Sequence, residues 1–276
     1  MKKYGILAYP AKHSVSPDMQ NAAFQALGID AEYGTFDVAP KDLGQFMQEQ
    51  LRAKTIAGLS VSLPYKESVI PFLDSVSEDA SKIGAVNTIL NDDGQLRGFN
   101  TDFGGSNRAL IESYGDLKGK QVLVIGAGGA ARAVIYGLMK EGANILVMNR
   151  SKEKAQALAI QFAEMFESEI HAVDFGDMLG GDILIHTTSI WTKMDFETED
   201  LPYFVYPDFL ENFNFVMDIA YPPLKTPLLE GCEDSGVEFI GADRMLLFQG
   251  VEQFEIWTGE KAPLTKMEEA LKKRLN

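Results

Sequence analysis

The run Gly126-Ala127-Gly128-Gly129-Ala130-Ala131 carries the strongest chemical signal in the chain. It follows an apolar stretch, Gln121–Ile125, and opens a helical pattern, so it fits G-x-G-x-x-G/A in the context that the pattern requires. The first glycine permits a tight turn, the second lets the backbone approach a pyrophosphate, and the small Ala131 lets the helix pack on the sheet. The helix N-terminus then meets the anion. Gly126, Ala127, Gly128, Gly129 and Ala130 are therefore expected to cradle a dinucleotide. After the next strand pattern an NAD site often carries Asp or Glu for the ribose hydroxyls, whereas this chain reads Asn149-Arg150-Ser151-Lys152-Glu153-Lys154. A guanidinium grips a 2′-phosphate and stacks on adenine, Asn149 and Ser151 offer hydrogen bonds, and Lys154 adds charge one turn on. Cations at a helix start oppose the helix dipole unless an anion sits there. The predicted cofactor is NADP.

A second polar set lies in the first half of the chain. His13-Ser14-Val15-Ser16-Pro17 stands between a strand pattern and a helix pattern, where hydroxyls suit a carboxylate. Ser16 alone reads as an ordinary N-cap, Ser14 has no such structural role, and His13 reads as a loop-packing residue. Lys66 follows Ser60-Val-Ser62-Leu-Pro-Tyr at the predicted start of a short helix, an unfavourable place for a cation unless something nearby uses it. Asn87-Thr88 follows Gly84-Ala-Val, and Asn100-Thr-Asp102 ends a predicted hairpin; each alone is compatible with a turn role. His13, His171 and His186 show no ligand spacing with Cys or carboxylates, so no metal is expected, and no Ser/His/Asp hydrolase motif appears.

The elements that must position these residues alternate along the chain. Tyr4–Tyr9, Glu32–Val38 and Ile56–Val61 read as strands; helices are predicted from Ser16-Pro17, stopped by Gly28, and after Pro40. Pro64 suits the first turn of another helix. Val86–Leu90 and Gln95–Phe99 flank Asn91-Asp92-Asp93-Gly94, whose Asp-Gly favours a hairpin turn. The pattern then restarts with strands Gln121–Ile125 and Asn144–Met148 and helices Gly129–Lys140 and Lys152–Phe166. Asp182-Ile-Leu-Ile and Phe215-Val-Met-Asp218 are apolar enough for a parallel sheet covered on both faces, and Arg244–Asn276 reads as two helices. The fold class is α/β in two domains: an N-terminal α/β unit with a mostly parallel sheet, and a Rossmann-type unit.

The dispersed set Ser14-Val-Ser16-Pro17, Ser62-Leu-Pro-Tyr-Lys66, Gly84-Ala-Val-Asn87-Thr88 and Asn100-Thr-Asp102 closely resembles the shikimate dehydrogenase family in order and spacing. The likeness continues through Gly126–Ala131, Asn149-Arg150-Ser151, Asp218-Ile-Ala-Tyr221-Pro, Thr226-Pro-Leu-Leu229, Gln249 and Phe254–Gly259, so it spans nearly the whole chain. The resemblance implies a substrate domain of residues 1–102 completed by 241–276, with the NADP domain, 103–240, between them. It implies reversible reduction of 3-dehydroshikimate to shikimate, with Lys66 and Asp102 managing the proton at the C3 oxygen as a coupled pair. It puts Ser14, Ser16 and Tyr221 near the substrate carboxylate, and Ser62, Lys66, Asn87, Asp102 and Gln249 near the hydroxyls. Ile219 and Ala242 join the cofactor set. Both serines favour shikimate over the bulkier quinate; the alternatives are a quinate-oxidising paralogue and a non-catalytic NADP-binding sensor. Three segments depart from the family pattern: Ser60 replaces Asn, His186-Thr-Thr-Ser189 with Ile190-Trp191 replaces an Asn-Ala-Thr-Ser run before Gly, and Gly241-Ala-Asp-Arg-Met-Leu246 loses two glycines.

Composition bounds the partners. The chain has 276 residues, 25 Lys and Arg against 40 Asp and Glu, and a formal charge of −15, which disfavours nucleic acid and anionic lipid. The lone Cys232 reads as a half-buried thiol and permits no intrachain disulfide, the apolar N-terminal stretch stops at Pro10, and no window is apolar enough to span a membrane. A cytosolic enzyme of a small molecule, monomeric or homodimeric, is the expectation.

Overall fold

The computed structural model describes residues 1–12, 14–52, 55–175, 177, 179–192 and 201–275. His13, read above as loop-packing, lies outside the described residues. The chain separates into two compact units, Met1–Gly105 with Leu246–Asn276, and Ser106–Met245. Each carries its own six-stranded sheet.

In chain order the first unit opens with β1 (Lys2–Ala8), α1 (Ser16–Leu27) and β2 (Ala31–Asp37). Gly28 closes α1 in the left-handed conformation, as its missing Cβ allows. The helix expected after Pro40 is a mixed one: a 3₁₀ turn at Pro40–Asp42, a single turn α2 (Leu43–Gln45) and a π-helical stretch, Phe46–Leu51. β3 (Ile56–Val61), β4 (Ser75–Val76), α3 (Glu78–Ile83), β5 (Thr88–Asp92) and β6 (Gln95–Phe99) follow. Asp93 and Gly94, both at positive φ, form the two-residue connection between β5 and β6, because Asp-Gly tolerates the left-handed region that this turn demands. The strand order is β2-β1-β3-β5-β6-β4, parallel at β2-β1, β1-β3 and β6-β4 and antiparallel around β5. A core including Leu7, Met47, Leu59, Tyr65 and Ile89 fills one side of the unit.

The second unit carries a parallel sheet, order β12-β11-β10-β7-β8-β9. After α4 (Asp102–Ser113) come β7 (Gln121–Ile125), α5 (Gly129–Lys140), β8 (Asn144–Met148), α6 (Lys152–Phe166), β9 (Ile170–Val173) and β10 (Gly181–His186). Then α7 (Pro207–Leu210), β11 (Phe213–Asp218), α8 (Pro227–Ser235) and β12 (Glu238–Ile240) complete it. The strand order reverses between β7 and β10, the place where open α/β sheets bind ligands. Finally α9 (Ala242–Thr258) and α10 (Leu264–Leu275) supply the two C-terminal helices expected. α9 returns the chain to the first unit, where the Trp257 ring lies over Gly58 so closely that a Cβ there would meet it at 2.6 Å. Cys232 is fully buried, not half-buried. Among the described residues no helix is long and apolar enough to cross a membrane.

Candidate active site

In the first unit the polar residues of four separate segments meet. Lys66 leaves β3 through a series of turns, not in a helix as expected: Tyr65 N donates to Ser62 O at 2.8 Å, Val69 N to Tyr65 O at 3.0 Å, and the next helical turn, a 3₁₀ one, starts only at Ile70. Leu63–Pro64 is a cis peptide, and Pro64 sits inside a turn where the sequence suggested a helix start. The Lys66 carbonyl accepts from Val86 N at 2.7 Å, which pins it beside the Gly84–Asn87 loop. Asn100 braces the other side: its Nδ2 donates to Ala85 O at 2.9 Å and its Oδ1 accepts from Asp102 N at 3.0 Å.

These braces bring Lys66 Nζ to 2.6 Å from Asp102 Oδ2. The Lys66 side chain keeps 16% of its exposure and Asp102 only 6%, so the ammonium reaches solvent while the carboxylate is held from behind. Asn87 does the holding: its Nδ2 donates to Asp102 Oδ1 at 2.8 Å and to Thr101 Oγ1 at 2.9 Å. Its Oδ1 accepts from Thr101 N at 2.8 Å and Thr88 Oγ1 at 2.7 Å, which fixes the orientation of the amide. Thr101 Oγ1 in turn donates to Gln249 O at 3.0 Å on α9. The Gln249 side chain is buried, and its Nε2 donates to Leu246 O at 2.8 Å. Ser62 is half-buried and its hydroxyl has no partner among the described residues.

Ser14 and Ser16 exchange the roles expected of them. Val15 is the N-cap of α1 and makes no side-chain cap; Ser16 is already helical, and Ser14 Oγ accepts from Ser16 N at 3.2 Å. Ser14 thus serves the helix start from outside it, a local turn that competes well with other conformations. Ser16 is buried, and burial raises the proton affinity of the Tyr33 phenol. Tyr33 Oη donates to Ser60 Oγ at 2.6 Å, Ser60 Oγ to Gln253 Oε1 at 2.6 Å, and Gln253 Nε2 to Asn87 O at 3.2 Å. An unbroken chain of hydrogen bonds therefore links Tyr33 to the residue that holds Asp102. In the sequence Asn100 and Thr101 stand out only as part of the motif that ends at Asp102, and nothing in the spacing of Tyr33 and Gln253 marks them as partners.

In the second unit the Gly-rich loop leaves β7 at Gly126, whose φ is +128°. Its Cβ, if present, would meet Thr187 Oγ1 at 2.2 Å. Gly128 caps α5 without a side chain, so the first N–H groups of that helix face outward, and a Cβ there would meet nothing within 4 Å. Ala131 is fully buried against the sheet. After β8, Asn149 Nδ2 donates to Ser151 O at 3.0 Å, and Ser151 Oγ caps α6 through Lys154 N at 3.4 Å while donating to Glu153 at 2.8 Å. Arg150 is exposed, and neither its guanidinium nor the Lys154 ammonium has a partner among the described residues. Uncapped N–H groups, open space at Gly128 and these cations fit an anionic dinucleotide bearing a further phosphate. Ile219 and Tyr221, just after β11, are half-buried, and Ala242 is buried at the start of α9. No group of His, Cys, Asp and Glu suited to a metal occurs among the described residues.

Comparison with known proteins gives three adjoining matches. Residues 6–89 match the family model of the shikimate dehydrogenase substrate binding domain, 109–235 that of shikimate/quinate 5-dehydrogenase, and 244–272 that of the shikimate 5′-dehydrogenase C-terminal domain. A shikimate dehydrogenase (NADP(+)) of Methanothermobacter thermautotrophicus is 43% identical over 277 residues, covering 99% of this chain and 96% of its own. A crystal structure of shikimate dehydrogenase in complex with NADP+ superposes with a TM-score of 0.90 at 37% identity, covering 100% of this chain and 96% of that one. The Thermus thermophilus enzyme in complex with NADP(H) and shikimate gives 0.85 at 35% identity, with 100% of both chains covered.

Proposed function

Since this chain belongs to the shikimate dehydrogenase family, we propose that it reversibly reduces 3-dehydroshikimate to shikimate with NADPH, Lys66 and Asp102 handling the proton at the C3 oxygen. The contact of 2.6 Å between Lys66 Nζ and Asp102 Oδ2 is the observation that carries this reading. NADPH supplies the hydride that reaches C3, and the oxygen must gain a proton in the same conversion. Lys66, partly open to solvent, donates that proton and recovers it from water; in the oxidative direction the same nitrogen accepts it. Asp102 orients the ammonium and accepts a hydrogen bond from the substrate hydroxyl, and Asn87 keeps the carboxylate from turning away. With both carboxylate oxygens engaged, Asp102 has little rotational freedom, which is the preorganisation that efficient proton transfer needs.

Ser14, Ser16 and Tyr221 are assigned to the substrate carboxylate, and Ser62, Asn87 and Gln249 to the hydroxyls. The unengaged Ser62 hydroxyl supports that assignment. A site built of hydrogen-bonding groups rejects analogues that leave those groups unpaired. Gly126, Ala127, Gly128, Gly129 and Ala130 are assigned to the pyrophosphate, Asn149, Arg150, Ser151 and Lys154 to the adenosine 2′-phosphate, and Ile219 and Ala242 to the nicotinamide end. We assign substrate binding to residues 1–102 with 241–276, NADP binding to 103–240, and action in the cytosol as a monomer or homodimer. The test is an NADPH-absorbance assay with shikimate and quinate, each with NADP and NAD. Turnover of shikimate with NADP well above the other three combinations is expected; preferential turnover of quinate, or none with either substrate, would overturn the reading.

A further inference from the structure

A buried polar cluster in the second unit takes no part in the chemistry assigned to Lys66 and Asp102. His186 ends β10 and Asp218 ends β11, directly opposite in the ladder, and neither is exposed. Asp218 Oδ1 accepts from His186 Nδ1 at 2.8 Å and Ala220 N at 2.9 Å; Oδ2 accepts from Trp191 Nε1 at 2.8 Å and Thr226 Oγ1 at 2.6 Å. The indole and the backbone amide can only donate, so the carboxylate is the acceptor at the centre of the cluster. With Nδ1 directed at Asp218, Nε2 faces Thr188 Oγ1 at 2.6 Å. The order Thr188–His186–Asp218 has the connectivity of a hydrolytic triad, although no such motif is visible in the sequence.

Its surroundings argue for a different use. Thr188 Oγ1 also accepts from Ile190 N at 3.4 Å, so the oxygen faces its own loop. The Thr188 methyl lies 3.3 Å from where a Cβ on Gly126 would be, and Thr187, bonded through Oγ1 to Ile125 O at 2.8 Å, fills the rest of that space. Thr187 and Thr188 thus form a wall against the Gly126 turn at the point where the strand order reverses.

We propose that His186, held by Asp218, is a positioning residue for the cofactor: through its hydrogen bond to the Thr188 hydroxyl it fixes the side chain that braces the Gly126 turn. The proposal rests on the NADP reading and concerns residues that differ from the family pattern at His186, Thr187 and Trp191. The hydrogen bond between His186 Nε2 and Thr188 Oγ1 determines the rotamer of that side chain.

The test is calorimetric titration of NADP into Thr188→Val, Thr188→Ser, His186→Asn and the double variant Thr188→Val/His186→Asn, with shikimate titrated in parallel. Valine preserves the shape of threonine and removes the bond; asparagine can still offer Asp218 a donor where Nδ1 stood but does not extend to Thr188. Each of these two variants is expected to weaken NADP about tenfold. The double variant should be no worse than either, because both remove one shared interaction. Thr188→Ser keeps the bond to His186 but removes the methyl that meets the Gly126 turn, so it should also weaken NADP, and the shikimate Kd should not change. Wild-type NADP affinity in Thr188→Val, additive losses in the double variant, or parallel weakening of shikimate would overturn the proposal. Thr188→Val decides alone should the His186 variant fail to fold. Absence of NADP binding by the wild-type protein is a separate result and would overturn the cofactor assignment itself.

Discussion

The unit of residues 1–105 and 246 onward builds its reactive end from side chains that satisfy one another, whereas the unit of residues 106–245 builds its ligand-facing end from what is left unsatisfied. Lys66, Asp102, Asn87 and Thr101 form a connected series of hydrogen bonds before any ligand arrives. At the Gly-rich loop the N–H groups of α5 have no cap and Arg150 no partner among the described residues. The contrast follows from the tasks proposed for the two ends. A proton must be moved between fixed atoms, so its carriers are preorganised by neighbours. A polyanion can be held by backbone dipoles and cations that wait for it, at the cost of leaving them open to water.

Lys66→Ala gives the sharpest test of this difference. It is expected to lower kcat by roughly 10²–10⁴ with a smaller change in KM, since proton transfer is lost and most binding groups remain. Stopped-flow or steady-state kinetics with shikimate and NADP check it, and a kcat near wild type would remove Lys66 from the chemistry. Arg150→Ala should leave the first unit untouched and reduce the preference for NADP over NAD by about tenfold to a hundredfold, the worth of a charge-assisted hydrogen bond. The ratio of kcat/KM for the two cofactors is the measurement, and an unchanged ratio would refute the assignment.

Two glycines of one loop offer a finer comparison. Gly128 has extended backbone, with φ −95° and ψ −173°, and open space beyond it, so Gly128→Ala should fold normally and weaken NADP by about tenfold, by placing a methyl where the pyrophosphate approaches. Gly126→Ala forces a side chain to φ +128° and onto Thr187 Oγ1, which costs about 1–3 kcal/mol of stability or more. Thermal melting and NADP titration together separate the two: equal Tm losses would mean that the loop is only structural.

The smallest effect concerns pH. Burial, with the negative charge of Asp218 adding to it, pushes the Cys232 thiol from its ordinary 9.0 up to about 12. Above about pH 9 the unfolded chain releases this proton while the folded chain retains it, so folding stability falls with rising pH by about 1.4 kcal/mol per unit and carries no such penalty below that range. The buried Tyr33 phenol is raised in the same direction by burial and acts with the same sign at higher pH. Cys232→Ala should therefore show a flatter Tm profile than wild type between about pH 9 and pH 11; parallel profiles would contradict the assignment.

Much of the second unit was legible from hydrophobic pattern alone. β7, β8, α5 and α6 run over the predicted residues, because a parallel strand buried on both faces and a capped amphipathic helix each leave a continuous local signature. The Lys66 segment was misread, since proline followed by polar residues is compatible with a helix start and with a turn, and the braces that choose the turn come from Val86 and Asn100, far along the chain. α4 was missed for a related reason. Gly104 and Gly105 are poor helix formers, yet a Cβ on Gly105 would meet the backbone Gln249 N at 2.7 Å, so the close approach of α9 requires that glycine, whereas at Gly104 a Cβ would meet only the end of the flexible Glu252 side chain.

Residue types and their spacing determined the α/β alternation, the dinucleotide loop with its basic follow-on, and the family resemblance, because each is written in contiguous runs whose physics is local. Only the tertiary structure decided that Asn87 grips Asp102, that Ser60 and Gln253 link Tyr33 to that grip, and that His186 stands between Asp218 and Thr188. Those contacts join segments distant in sequence, and a hydrogen bond of that kind depends on where folding places two atoms, which no local pattern encodes.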